Sequence, residues 1–247
     1  MNVRPFLKRL VSAIFPSLCV NCRRRIEDGA LCDNCKKSIE TRNGFLCPKC
    51  GRRLPAQAGL LETANACHKK ARFVLAAAAS YENPPVRELI HALKYQGIKT
   101  TLEPLTKIID EYVEKTFGNS ELSAGGGEIR NFVIIPVPLH RAKERKRGFN
   151  QAALIAKILG KNLGIQIQEN NLSRKRKTDS QTKTKNYKER EKNVAGCFRV
   201  GNPGLVGGKN IILVDDVFTS GATMKEAVRV LKSAGAKKII GFVVAKA

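Results

Sequence analysis

Apolar residues gather into short runs and helical stripes that alternate through the last two-thirds of this 247-residue chain. Phe73-Val-Leu75 and the four alanines after it predict a strand over Arg72–Tyr81, closed by the turn residues Asn83-Pro-Pro85. Val86–Tyr95 follows as a helix, with Leu89, Ile90 and Leu93 inward and Lys94-Tyr95 at its end. Leu102–Phe117 repeats the helical period through Leu105, Ile108, Ile109, Tyr112 and Val113. Gly118–Glu128, with three successive glycines, reads as a surface connection. Phe132–Pro138 is a buried strand ending at a proline turn, and the next helix buries Ala152, Leu154, Ile155, Ile158 and Leu159. Phe198–Val200, Ile211–Val214 and Ile239–Val244 are further strands. Between the last two, Val228, Leu231 and neighbouring alanines make a helical face that closes near Gly235. Strands alternating with helices predict an α/β fold on a parallel sheet.

The first 70 residues have a different texture. Phe6, Leu7, Leu10, Val11 and Ile14 share one helical face beside Arg4, Lys8 and Arg9. That apolar run is short of the roughly 20 residues a membrane span needs, and it lacks a small-residue cleavage site. It predicts an amphipathic helix, packed on the body or touching a membrane surface. Cysteines then recur as Cys19-x-x-Cys22, Cys32-x-x-Cys35 and Cys47-x-x-Cys50, followed by Cys67-His68, with Cys197 alone. The lack of a membrane span or signal-peptide pattern points to a cytoplasmic protein, and in such a reducing compartment these pairs suit zinc better than disulfides. Cys19, Cys22, Cys32 and Cys35 make one complete tetrahedral set. Cys47, Cys50 and Cys67 make three-quarters of another; the position that would complete the pattern is Lys70, so His68 is the available fourth ligand. The alternative is a half-site whose thiols simply pack. Either zinc would be structural, standing in for a core that so small a segment cannot bury. The chain therefore divides into a helix and zinc-ribbon module at 1–70 and an α/β domain at 71–247.

Charge narrows the class of partner. The net charge is +24, the hydrophobic content is 43%, aromatics are 6% and Trp is absent. Such a balance excludes wholesale disorder and suits a polyanionic partner, nucleic acid or phosphorylated ligands, with plain solubility as the alternative. A base-stacking platform is not evident. Basic residues concentrate twice. Arg141, Lys143, Arg145, Lys146 and Arg147 follow the strand ending at Pro138 and could clamp an anion such as pyrophosphate, or form a solvated charge run. Ser173–Lys192, which includes Thr178, Gln181 and Arg190, lacks apolar periodicity and reads as a mobile loop able to act as a lid. His140 is a candidate base by location only.

Ile211-Ile-Leu-Val-Asp-Asp-Val-Phe-Thr-Ser-Gly-Ala-Thr223 carries the most specific chemistry. Asp215 and Asp216 stand where a buried strand should end, suited to ribose hydroxyls or a metal. Thr219–Thr223 then offers hydroxyls, a glycine and the unpaired N–H groups of a helix start, which cradle phosphate. Together they suggest a phosphorylated sugar. The segment Val214–Thr223 resembles the phosphoribosyl diphosphate (PRPP) signature of type I phosphoribosyltransferases. The cysteine ribbon, Pro136-Val-Pro138 with Arg147-Gly-Phe-Asn-Gln151, and the loop through Thr178, Gln181, Arg190 and Asn193 resemble the ComF family of competence protein F and GntX-like proteins. The resemblance implies a type I phosphoribosyltransferase-like sheet behind a zinc ribbon. It implies PRPP held by Asp215, Asp216, Val217, Thr219, Ser220, Gly221, Ala222 and Thr223, with Arg141, Lys143 and Arg147 facing the pyrophosphate and Mg2+ accompanying it. Catalytic residues are not identified. The implied role is phosphoribosyl transfer to an unknown acceptor, linked to DNA uptake with single-stranded DNA and competence proteins as partners. The alternative is a non-catalytic PRPP sensor or single-stranded-DNA-binding adaptor.

Overall fold

A computed structural model describes residues 17–54, 67, 71–97, 99–118, 131–175 and 192–247. The expected N-terminal helix, the connection over 119–128, His68, Lys70, and the loop residues Thr178, Gln181 and Arg190 lie outside the described residues.

Four parallel strands form the centre: β2 (Val74–Ser80), β3 (Phe132–Pro136), β6 (Asn210–Phe218) and β7 (Ile239–Lys246). Their order is β2-β7-β6-β3, and β1 (Phe45–Leu46) adds an antiparallel edge beside β2. Side chains of a strand alternate between faces, and each strand here divides its apolar residues between two cores. Val74, Ala76, Ile212, Val214, Ile240 and Phe242 belong to one; Leu75, Ala77, Ile211, Leu213, Ile239 and Val243 belong to the other. The first core is covered by α2 (Pro84–His91), α3 (Leu102–Phe117) and α5 (Gln151–Leu163), through Leu89, Ile109, Tyr112, Ile155 and Leu159. The second is covered by α6 (Ala222–Ser233) and by the antiparallel pair β4 (Leu172–Arg174) and β5 (Phe198–Val200). A parallel sheet buried on both faces is the arrangement that near-continuous apolar strands require.

Elements begin where local chemistry starts them. Asn83 caps α2 by accepting from the Val86 N–H at 3.2 Å, with prolines in the first turn. Asn150 caps α5 through Ala152 at 3.1 Å and also donates to the Val137 carbonyl at 3.1 Å, tying the helix start to the end of β3. Gly241 in β7 is needed for packing, since a Cβ there would sit 3.1 Å from Met224 Sδ and 3.2 Å from the Phe73 ring.

Several elements differ from the sequence expectation. The helix expected over Val86–Tyr95 is α-helical only to His91 and finishes as a π-turn over Ala92–Gln96, closed by Gly97 in the left-handed region at φ 66°. β6 runs past Val214 to Phe218, so both aspartates are strand residues. Arg141–Arg147, where the sequence shows only a run of charge after the strand, is a short helix, α4. Ser173 and Arg174, expected in the mobile loop, pair with Arg199 and Phe198.

The cysteine-rich segment is stitched to the sheet. Besides β1, Arg42 N–H donates to Ala78 O at 2.7 Å, Asn83 Nδ2 to Ser38 O at 2.7 Å, and the buried Tyr112 hydroxyl to Gly44 O at 2.6 Å. Replacing Tyr112 by Phe strips a part-buried carbonyl of its donor at constant shape. It should lower unfolding free energy by about 1–2 kcal/mol in urea titrations, with the spectroscopic signature of the fold retained.

Candidate functional site

Strand β6 carries the site. Successive side chains at its carboxyl end point to opposite faces, so Asp216 follows Val214 toward the α2 side and Asp215 follows Leu213 toward the α6 side. Asp215 Oδ1 accepts the N–H of Asp216 at 2.9 Å. Lys94, from the π-turn, places Nζ 2.8 Å from Asp216 Oδ1. Burial is the largest single influence and would lower the Lys94 pKa, but the charge and hydrogen bond of Asp216, with the charges of Asp215 and Tyr95, together hold the ammonium above its ordinary value. Among the described residues Asp215 has no such ion pair. Burial, then the charge of Asp216, pushes its carboxyl up to about 7, against the pull of Lys94.

Beyond the acids the chain turns through Thr219–Gly221 into α6. Gly221 stands at φ 72°, and a Cβ there would run into the ring of Phe218. Phe218 packs on Phe73 with ring centroids 6.4 Å apart, so the loop rests on an aromatic pair anchored in the sheet. Ser220 Oγ accepts from the Ala222 N–H at 3.4 Å. The twelve-residue helix behind the loop directs its positive end at the same space.

These groups line a cleft of about 310 Å3 together with Tyr81, Tyr95, Lys143, Arg147 and Arg174. Arg147 lies over the Tyr95 ring at 5.1 Å and donates to Gln151 Oε1 at 3.0 Å. A cavity of about 380 Å3 lies between Lys49 and α6, floored by Phe73 and Val228; its one carboxylate, Glu226, is paired with Arg229 at 2.7 Å. The acid pair and phosphate-type loop gather in the smaller cleft.

The cysteines form two clusters whose sulfurs lie within 4.8 Å of one another: Cys19, Cys22, Cys32 and Cys35, and Cys47, Cys50 and Cys67. Zinc–thiolate bonds of about 2.3 Å place tetrahedral sulfurs about 3.8 Å apart, so the first set fits zinc as it stands. Two knuckles repeat one geometry. Arg23 N–H donates to Cys19 O at 3.0 Å and Cys19 N–H to Arg24 O at 2.9 Å; Gly51 and Arg52 do the same around Cys47 at 2.9 and 2.8 Å. Arg23 and Gly51 both take positive φ, 60° and 75°, to let the chain reverse beneath the sulfurs. Against the cost of burial, backbone N–H groups of Cys22, Cys32 and Asn21 draw Cys19 down to about 6, which suits a thiolate ligand.

Comparison with known proteins returns both modules. Residues 146–247 match the phosphoribosyl transferase domain, and residues 10–69 match the double zinc ribbon domain. The chain is 28% identical over 226 residues to DNA utilization protein YhgH of Escherichia coli, covering 91% of this chain and 94% of that one. It is 27% identical over 227 residues to competence protein F of Haemophilus influenzae, covering 90% and 93%. Competence protein ComFC of Bacillus subtilis is 25% identical over 215 residues, covering 84% and 80%. Along most of its length the chain is similar to proteins of the ComF family, and residues 146–247 match a phosphoribosyl transferase domain.

Against this similarity the sequence-assigned residues divide clearly. Asp215, Asp216, Val217, Thr219, Ser220, Gly221, Ala222, Thr223, Lys143 and Arg147 share the cleft; Arg141 does not line it. His140, a base candidate by location, caps α4, its Nδ1 accepting the Ala142 N–H at 3.2 Å. Sequence reasoning missed Lys94, Tyr95, Tyr81 and Arg174 as site residues. A lysine–tyrosine pair ending an otherwise apolar helical stripe just before Gly97 was the available signal for the first two. Structural zinc is supported by the ribbon match and the clusters. Cys22→Ser should remove about one zinc equivalent per chain by elemental analysis, leaving the Cys47 cluster's content unchanged.

Proposed function

We propose that the cleft binds PRPP and that the protein transfers its phosphoribosyl group to an acceptor not yet identified, in the service of DNA uptake or use. The observation that carries the reading is the convergence of an acid pair, a glycine-hinged helix start and a basic wall in one cleft of about 310 Å3. Asp215 and Asp216 would accept the ribose hydroxyls. Thr219–Thr223 would cradle the 5′-phosphate with hydroxyl and N–H donors. Lys143 and Arg147, joined by Arg174, would face the pyrophosphate, which Mg2+ would accompany to spread its charge. Departure of pyrophosphate builds positive charge at the anomeric carbon. The residues then act by fixing geometry, balancing charge on the leaving group and excluding water.

A second reading is favoured by the charge of +24 and by relatives named for competence and DNA utilization. On it, the protein is a PRPP-responsive adaptor for single-stranded DNA rather than a transferase. Pyrophosphate release with candidate acceptors supports the first reading; steeply salt-dependent DNA binding without turnover supports the second. Under both, the reduced cysteines fit work in the cytoplasm.

Replacing Asp215 and Asp216 by Asn together removes charged acceptors worth roughly 1.5–3 kcal/mol each, so PRPP affinity should fall more than about a hundredfold by calorimetry. Zinc content should stay the same, and unchanged affinity would refute the assignment. With the Asp215 pKa near 7, the ionised acceptor fills as pH rises, so PRPP affinity should climb from about pH 6 to about pH 8 and then level. The same shift makes Asp215 a destabilising group. Its contribution to unfolding free energy falls as pH rises from 3.8 to about 7, where the folded chain holds a proton the unfolded chain has released.

A further inference from the structure

The dipeptide Lys94-Tyr95 touches both ends of the cleft. Lys94 is paired with Asp216 at 2.8 Å, and the two side chains are only 20% and 12% exposed. Tyr95, 57% exposed, lies beneath the Arg147 guanidinium on the basic wall. Both are delivered by the π-turn Ala92–Gln96, whose widened turn rotates Lys94 off the helix's own course and into the strand ends. The charged and titratable groups around this point are Asp215 and Asp216 on β6, Tyr81 after β2, Lys143 and Arg147 on α4, and Arg174 on β4.

A nearly buried ammonium is stable only while an anion faces it. A ribose hydroxyl that donates to Asp216 competes for the oxygens Lys94 now holds. Once that carboxylate is shared, the ammonium needs a second anion within reach. The basic wall that Tyr95 joins to the same turn is where a pyrophosphate would lie; a sugar lacking pyrophosphate brings nothing there.

Resting on the PRPP reading, we propose that Lys94 is the residue that selects for pyrophosphate: carried between Asp216 and the Arg147 wall, it lets the sugar bind well only when the anomeric carbon bears that group. The phosphate loop and acid pair alone would accept ribose 5-phosphate almost as readily. Selection therefore comes from a cation that must be given somewhere to go.

Calorimetric titration of the full chain with PRPP and with ribose 5-phosphate, each with Mg2+, tests this. Wild type should prefer PRPP. Lys94→Met should weaken PRPP by about tenfold or more, the scale of one charge-assisted hydrogen bond, while ribose 5-phosphate binds as well as before or better. Lys94→Arg, which keeps the charge, should retain most of the preference. Equal weakening of both ligands in Lys94→Met, or no change in either, would overturn the role of Lys94. Absence of PRPP binding by wild type would instead overturn the PRPP reading. If Lys94→Met fails to fold because Asp216 is stranded, Lys94→Gln, which still donates to Asp216 without charge, carries the same comparison.

Discussion

Two neighbouring carboxylates at the end of a buried parallel strand are the constraint around which this molecule is arranged. Ionised groups so placed repel each other and lose hydration, and the cost is bearable only with compensation nearby. Strand alternation sends the two to opposite faces of the sheet, so compensation has to arrive from both layers. On the α2 side it is a direct ion pair with Lys94; on the α6 side, Arg174 contributes a weaker attraction to Asp215. The asymmetry leaves one acid in a direct ion pair and the other, Asp215, with its pKa raised to about 7.

The elements that look irregular serve this point. The π-turn aims Lys94 inward, α4 supplies Lys143 and Arg147, and β4 supplies Arg174. Beneath the phosphate-type loop, Phe218, Phe73 and Gly241 form a stack from loop to sheet centre, so the loop's shape is set by core packing. The ligand-facing surface thus inherits its rigidity from the hydrophobic layers.

Much of this was legible in the chain because its signals are strong ones. Parallel strands buried on both faces leave unbroken apolar runs, and Ile211–Val214 and Ile239–Val244 declared themselves that way. The cysteine spacing announced the knuckles. What stayed hidden has physical reasons. Asp215 and Asp216 broke the apolar run, so the strand's last four residues were invisible although their ladder to β7 continues. Arg141–Arg147 buries no residue and so shows no apolar period, while its cap, His140, is an uncommon one. A π-turn has no residue signature, since one extra residue per turn reads as an ordinary helix end. The pairing of Lys94 with Asp216 joins positions 122 residues apart, and nothing local encodes it.

The zinc ribbon also has a bearing on the sheet that goes beyond its own folding. Phe45-Leu46 and Arg42 occupy the outer edge of β2, a strand of alanines and apolar residues whose free backbone groups would otherwise face water. An uncovered flat edge of that kind is a template for pairing with other chains. The cysteine-rich segment therefore does more than fold around its own sulfurs: by pairing with β2 it closes a seam at which other chains could otherwise add.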